Sequence, residues 1–265
     1  MPGYMMHLCE GCYILNILSD QSSTATGSVI AQAFARESKA PDFTNNFLLG
    51  TIIPDAVSDK SLTHFRPTWQ NDLITKYPDM TRLIHDHPAS ELTAADLGVL
   101  AHLYMDSLYV EEFWPRYFEF EDISDTTTCV SDMIDHVRMK HSSMQPADSI
   151  IPIRDFFSDR YFYGDYNITN PVFQSDFSPV IPDVMPVPLS ITECSVFSIA
   201  RLKQDLSHFT RVGFSACNAQ SFNAQPFNVQ SFNAHIQNIQ TRVFPYTDLK
   251  KFIINCAYTF FDLYS

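Results

Sequence analysis

Apolar positions along most of this 265-residue chain recur at three- and four-residue intervals, the period of helices packed on one side. Residues 5–18, "MMHLCEGCYILNIL", read as a helix that Gly11 weakens. "TGSVIAQAFARES" supplies a second, with Thr and Ser near its start. Residues 44–53 are apolar, follow Asp42 and Thr44 as candidate N-caps, and stop at Pro54. The clearest helix is residues 93–113, "TAADLGVLAHLYMDSLYVEEF". Thr93 is a good N-cap, Asp96 suits the first turn, and the middle is apolar nearly all round, as in a central core helix. Further helical stretches are expected near 129–141, 151–160 and 190–211. The chain closes on "DLKKFIINCAYTFFDLYS", with Leu249, Phe252, Ile253, Cys256 and Phe260 on one stripe. Residues 167–189 are Pro-rich and read as an irregular crossing. The expected fold class is all-α, a single multi-helix domain over residues 1–265.

One segment breaks the pattern. Residues 218–237, "NAQSFNAQPFNVQSFNAHIQ", repeat every five positions, with Asn218, Asn223, Asn228 and Asn233 equivalent. So few short units cannot stack a continuous core, so the segment reads as a low-complexity insertion.

Composition narrows the function classes. Only 7 Gly leave few positions for tight turns, which argues against a turn-rich β-sandwich, and 22 Phe with 12 Tyr point to a bulky core. The net charge of −13, with no Lys/Arg block, disfavours broad nucleic-acid or anionic-membrane binding. No apolar run is long enough for a transmembrane helix, and no basic residue precedes Arg36 as a secretory leader requires. The expected location is cytoplasmic, with the 6 scattered Cys reduced.

The candidate chemistry lies where polar groups interrupt apolar runs. His102 and Asp106 are four apart, on one face of the core helix, among Leu103, Tyr104, Met105 and Leu108. A carboxylate there is costly unless a cation or donors satisfy it. "LLGTIIPDAVSDKSLTHF", residues 48–65, raises the same problem with Asp55 and His64. Two His and two Asp together make a tetrahedral zinc shell, with His7 a possible fifth ligand. Taken singly, His102–Asp106 also reads as a core histidine bonded to a carboxylate, and Asp55 as a turn cap after Pro54.

Four segments, "MPGYMMH", "LLGTIIPDAVSDKSLTHF", "GVLAHLYMD" and, more loosely, "FYGDYNITNP", resemble the zinc-dependent phospholipase C family. That family, related to the zinc-dependent single-strand nucleases, shows an early His, then Gly-x-x-x-Pro-Asp with Thr/Ser-His-Phe, then a helical His-x-x-x-Asp. The resemblance implies an all-α fold, metals among the helices and phosphodiester cleavage. It implies that Asp55, His64, His102 and Asp106 hold one zinc, with Asp106 bridging to a second held by His7 and the chain's terminal amine, here Pro2 if Met1 is removed. The family's third metal is not matched. Glu111 and Glu112 stand where its histidine is sought, and neither His136 nor His141 is followed by a carboxylate at the required spacing.

The reading is a metal-dependent phosphoester hydrolase with one or two zinc ions, activating water against a phosphodiester of a small molecule or lipid head group. Asp55 is a candidate to orient that water. Asp165, in a stretch that looks like a loop, is a candidate base or support for the metal ligands, or simply part of a turn around Gly164. Two alternatives stand beside it: a non-catalytic, metal-stabilised helical binding module, and an HD-type phosphohydrolase using His64 with His85 and Asp86. Cys9 and Cys12 have no second cysteine pair and read as small core residues.

Overall fold

The first helix, α1 (Tyr4–Ser19), is the hub. The structure, a computed structural model, describes residues 3–20, 28–140, 149–207 and 241–264. In chain order there follow α2 (Val29–Glu37), α3 (Phe43–Gly50), α4 (Met80–Asp86), α5 (Ala94–Leu108), the short α6 (Ile153–Phe156), α7 (Phe162–Phe177), α8 (residues 199–207) and α9 (Tyr246–Thr259), and α1 packs chiefly on α3, α5, α7 and α9. The described residues are thus mostly helical, as the apolar periodicity predicts. None of these helices is long and apolar enough to cross a membrane. The repeat at 218–237 lies outside the described residues.

The structure corrects the expected fold class in one respect, because it contains a sheet. Strands β1 (Phe118–Glu121), β2 (His136–Met139) and β3 (Ile150–Pro152) form an antiparallel sheet in that order. Phe118 is opposite Met139, and Val137 opposite Ile151. A helix was expected near 129–141, where β2 lies, and another near 151–160, of which Ile153–Phe156 is helical while Ile150–Pro152 is strand. The strand signal was there in Val137 and Met139, buried on either side of the half-buried Arg138, a period of two. A second correction concerns "FYGDYNITNP". It is not a loop but most of α7, which carries Pro171 inside it. Gly, Asn and Pro argue for a loop locally, yet buried Phe162, Tyr166 and Phe173 hold the segment helical against the core. Of residues 190–211, Thr192–Val196 form a 3-10 turn and 199–207 form α8.

α5 is specified best. Thr93 and Asp96 form a reciprocal capping box. The Asp96 carboxylate also accepts from the amides of Ser190 and Ile191, tying the Pro-rich crossing to the helix start. α5 ends in a π-helical turn, Tyr109–Phe113. It crosses α3 at backbone contact: a methyl on Gly98 would stand 2.1 Å from the Phe47 carbonyl, and one on Gly50 2.0 Å from the Ala95 carbonyl. Only hydrogen fits at either position.

Two apolar clusters fill the interior. One gathers Leu8, Ile14, Phe34, Phe47, Leu100, Leu103 and Phe260. The other gathers Met5, Met6, Met105, Tyr109, Phe113, Trp114, Phe118, Phe162, Phe244 and Ile253. Helices α1 and α5 contribute to both, and His7, His102 and Asp106 lie on these two helices where residues of one cluster give way to residues of the other, a seam between them.

Candidate metal centre

Three chain segments bring ionisable side chains to that seam. α1 contributes His7 and α5 contributes His102 and Asp106. The third segment leaves α3 through a 3-10 turn, Ile53–Asp55, in which Pro54 stops the helix and Asp55 turns inward; it continues to His64. His7, His64, His102 and Asp106 are fully buried, and Asp55 is 7 % exposed. The five side chains that the sequence singled out as metal ligands are therefore neighbours.

Asp106 is the centre of the group. Its Oδ1 lies 3.6 Å from His7 Nε2. Its Oδ2 lies 3.3 Å from His64 Nε2 and 3.6 Å from His102 Nε2. His64 Nε2 is also 3.3 Å from Asp55 Oδ1. The His7 and His102 rings stack with centroids 3.8 Å apart. His7, His102 and Asp106 form one compact triad, and Asp55, His64 and His102 a second.

The far side of two rings fixes their proton positions. His102 Nδ1 is 2.8 Å from the Thr51 carbonyl, so it must donate there. His64 Nδ1 likewise faces the Lys60 carbonyl at 3.0 Å. Each neutral ring then points a bare Nε2 lone pair inward. These lone pairs meet carboxylate oxygens, which are also acceptors. The Nε2 atoms of His7, His64 and His102 and both oxygens of Asp106 have no hydrogen-bond partner. Acceptors facing acceptors in a dry interior repel, unless a proton or a metal ion lies between them. The donor set of imidazole nitrogens and carboxylate oxygens, each clamped ring backed by a carbonyl, suits zinc.

Electrostatics carry the same message. Burial pushes the His7 imidazole well below its ordinary value, with the neighbouring His102 adding to the effect, and burial also lowers His102. For His64 burial is outweighed by Asp106 and Asp55, and its pKa rises. Burial opposes ionisation of Asp106, but His102, His64 and His7 bring it down to about 2. Asp55 is held low against burial by His64, His102 and Lys60.

The edge of the cluster is at Asp55. The Lys60 ammonium pairs with Asp55 Oδ1, and its side chain is 40 % exposed. α8 is tied over this turn: the Ser198 amide donates to the Ala56 carbonyl at 2.9 Å, and Arg201 donates to the Val57 carbonyl at 2.6 Å.

Other expected site residues go elsewhere. Asp165 is buried in the first turn of α7, where its two oxygens accept from the amides of Arg242, Val243 and Phe244 at 2.7, 2.7 and 2.9 Å. It anchors the strand of chain entering α9, and that accounts for both oxygens. His85 and Asp86 sit at the exposed end of α4, with side chains 84 % and 44 % exposed, and pair with each other. The structure does not bring them to His64. Cys9 and Cys12 are free thiols packed near α7 and Val180. A further His/carboxylate group, Glu121, Asp125 and His136, is threaded by Arg138, which donates to Glu121 at 2.7 Å and Asp125 at 3.1 Å. There an arginine already balances the charge.

One buried group escaped the sequence reading. Glu10, one turn along α1 from His7, is fully buried and neither oxygen has a partner. Its signal was a carboxylate among Leu8, Cys9, Gly11 and Cys12, the anomaly that drew attention to Asp55.

Comparison with family models, with curated proteins and with solved structures found no match.

Proposed function

We propose that this chain is a metal-dependent phosphoester hydrolase, with zinc held by Asp55, His64, His102 and Asp106 and with His7 facing the far oxygen of Asp106. One observation carries the metal reading: imidazole nitrogens from three chain segments, two of them on rings clamped from behind, are aimed, unpartnered, at an unpartnered buried carboxylate. A zinc ion there lowers the pKa of bound water to about 7 and offsets charge on a phosphoryl group. The chain's own residues do the rest. The Thr51 and Lys60 carbonyls hold two rings in the ligating tautomer. Lys60, half-exposed and paired with Asp55, offers a cation to an anionic ester at the Asp55 edge of the cluster. The resemblance to zinc-dependent phospholipases C, which covers these same residues, supports the choice of reaction.

A second reading has its own observation. Four of the five ligands are fully buried and α8 covers the Asp55 turn. Structural zinc sites are closed in this way, whereas catalytic ones keep a position open. This favours a non-catalytic, metal-stabilised helical module.

Two measurements separate these readings. Metal analysis of the purified protein is expected to find zinc, and His102→Ala to lose it. Hydrolysis of bis(p-nitrophenyl) phosphate is expected to depend on that zinc and to stop with a chelator. Zinc retained without turnover selects the binding module. Absence of any bound metal, with zinc supplied, removes both.

A further inference from the structure

We propose that Glu10 is a ligand of this centre, forming a second cation position with His7 and Asp106 Oδ1, beside the first position of Asp55, His64, His102 and Asp106 Oδ2. The inference rests on the metal centre proposed above.

The two oxygens of Asp106 face different company. Oδ2 is approached by His64 at 3.3 Å and His102 at 3.6 Å, and His64 in turn approaches Asp55. Those four residues complete one tetrahedral shell. Oδ1 is approached by His7 at 3.6 Å. The third member of the triad on that side, His102, is shared with the first position, so a cation there has only two donors of its own. His7 Nε2 and Asp106 Oδ1 are nevertheless buried and unpartnered, as the first position's atoms are.

Glu10 supplies the missing donor. It lies three residues after His7 on the same helix, so the two side chains project from adjacent turns of neighbouring faces. It is fully buried, and both of its oxygens lack a partner. Burial and the charge of Asp106 push its pKa well up, which places it within the field of the cluster. In the present rotamer Glu10 stands outside both compact triads, and the proposal requires a change about its three side-chain torsions on cation binding. Paired ligands three apart on one helix recur in dinuclear carboxylate centres, where a Glu and a His from one helix serve the two-metal site. Without a cation, Glu10 and Asp106 are two buried carboxyls in one another's field, an arrangement that disfavours ionising both. A divalent ion between them reverses that preference.

The experiment counts zinc ions per chain by mass spectrometry and elemental analysis after loading and dialysis, for the full chain and three variants. The parent chain is expected to hold two ions. Glu10→Gln, neutral and of the same shape, is expected to hold one, and so is His7→Ala. Glu10→Leu, which fills the core without polar atoms, is expected to hold one ion and to be at least as stable metal-free, which keeps the test valid if Gln is poorly tolerated. Two ions in either Glu10 variant overturn the proposal. One ion in the parent and in both Glu10 variants also overturns it, while the first position stands. No ion in the parent overturns the metal centre together with the second position.

Discussion

Asp106→Asn tests the centre most sharply, because it removes the charge that faces all three rings and keeps the side chain's shape. In the metal-free protein the substitution has opposing effects: it loses the charge that the imidazoles favour, and its amide can donate to a bare ring nitrogen. The informative quantity is therefore the gain on adding zinc, taken in each protein against its own metal-free form. With zinc at about 1,000 times its dissociation constant, the parent gains ~4 kcal/mol by mass action, and Asn forfeits it. The measurement is urea denaturation at pH 7 with chelator and with excess zinc. Zinc is expected to stabilise the parent by ~4 kcal/mol and Asp106→Asn by little. Equal stabilisation of parent and Asp106→Asn by zinc would refute the reasoning, because the ion would then bind elsewhere. No zinc effect in the parent would reduce Asp106 to a member of a buried charge network.

Three further outcomes follow from the geometry. His64 has a raised pKa, so the metal-free ring carries a proton below that value and must release it to ligate; zinc affinity, measured by competition with a chromogenic chelator, should rise with pH by up to about tenfold per unit until that pKa is passed. An affinity independent of pH would exclude His64 as a ligand. Gly98→Ala drives a methyl to within 2.1 Å of the Phe47 carbonyl, where only backbone can yield; thermal melts should show a loss of about 3 kcal/mol, and zinc retention should weaken because α3 and α5 position Asp55 and His102. Asp165→Asn turns one of two accepting oxygens into a donor facing backbone amides, so urea denaturation should show a loss of about 2–3 kcal/mol with zinc content unchanged. Loss of zinc in that variant would return Asp165 to the site.

How far the sequence discloses this molecule depends on which residues are asked. The five candidate ligands were legible because each is a local contradiction, a polar group where an apolar run needs none, and contradictions of this kind are resolved only by pairing. Glu10 is the same contradiction, hidden by its neighbours Cys9 and Cys12, whose spacing suggested a different and emptier chemistry. Asp165 and the His85–Asp86 pair show the opposite error. Their spacing was suggestive, but a carboxylate at a helix start can be filled by backbone amides from eighty residues away, and an His–Asp pair can simply face water. The sheet was missed for a related reason. His136 and Glu121 are buried in it only because Arg138 and Asp125 complete an ion network across two strands, a partnership that exists in the fold and not in either segment alone.

The position of the cluster also says what a metal would do for the chain besides chemistry. His7, the Asp55–His64 segment and the His102–Asp106 pair are brought together only when α1, α3 and α5 have packed, so a cation binding all of them binds the folded state and its binding energy becomes folding energy. Without a cation the same residues weaken the seam between two apolar clusters, since apolar side chains of similar volume would pack there without desolvating two carboxylates. A cation bound by all five would offset that cost. That argument serves a catalytic ion and a structural ion equally. The Asp55 edge does not choose between them, because Lys60 there balances the Asp55 carboxylate in either case, and so turnover rather than occupancy is the property on which the two readings part.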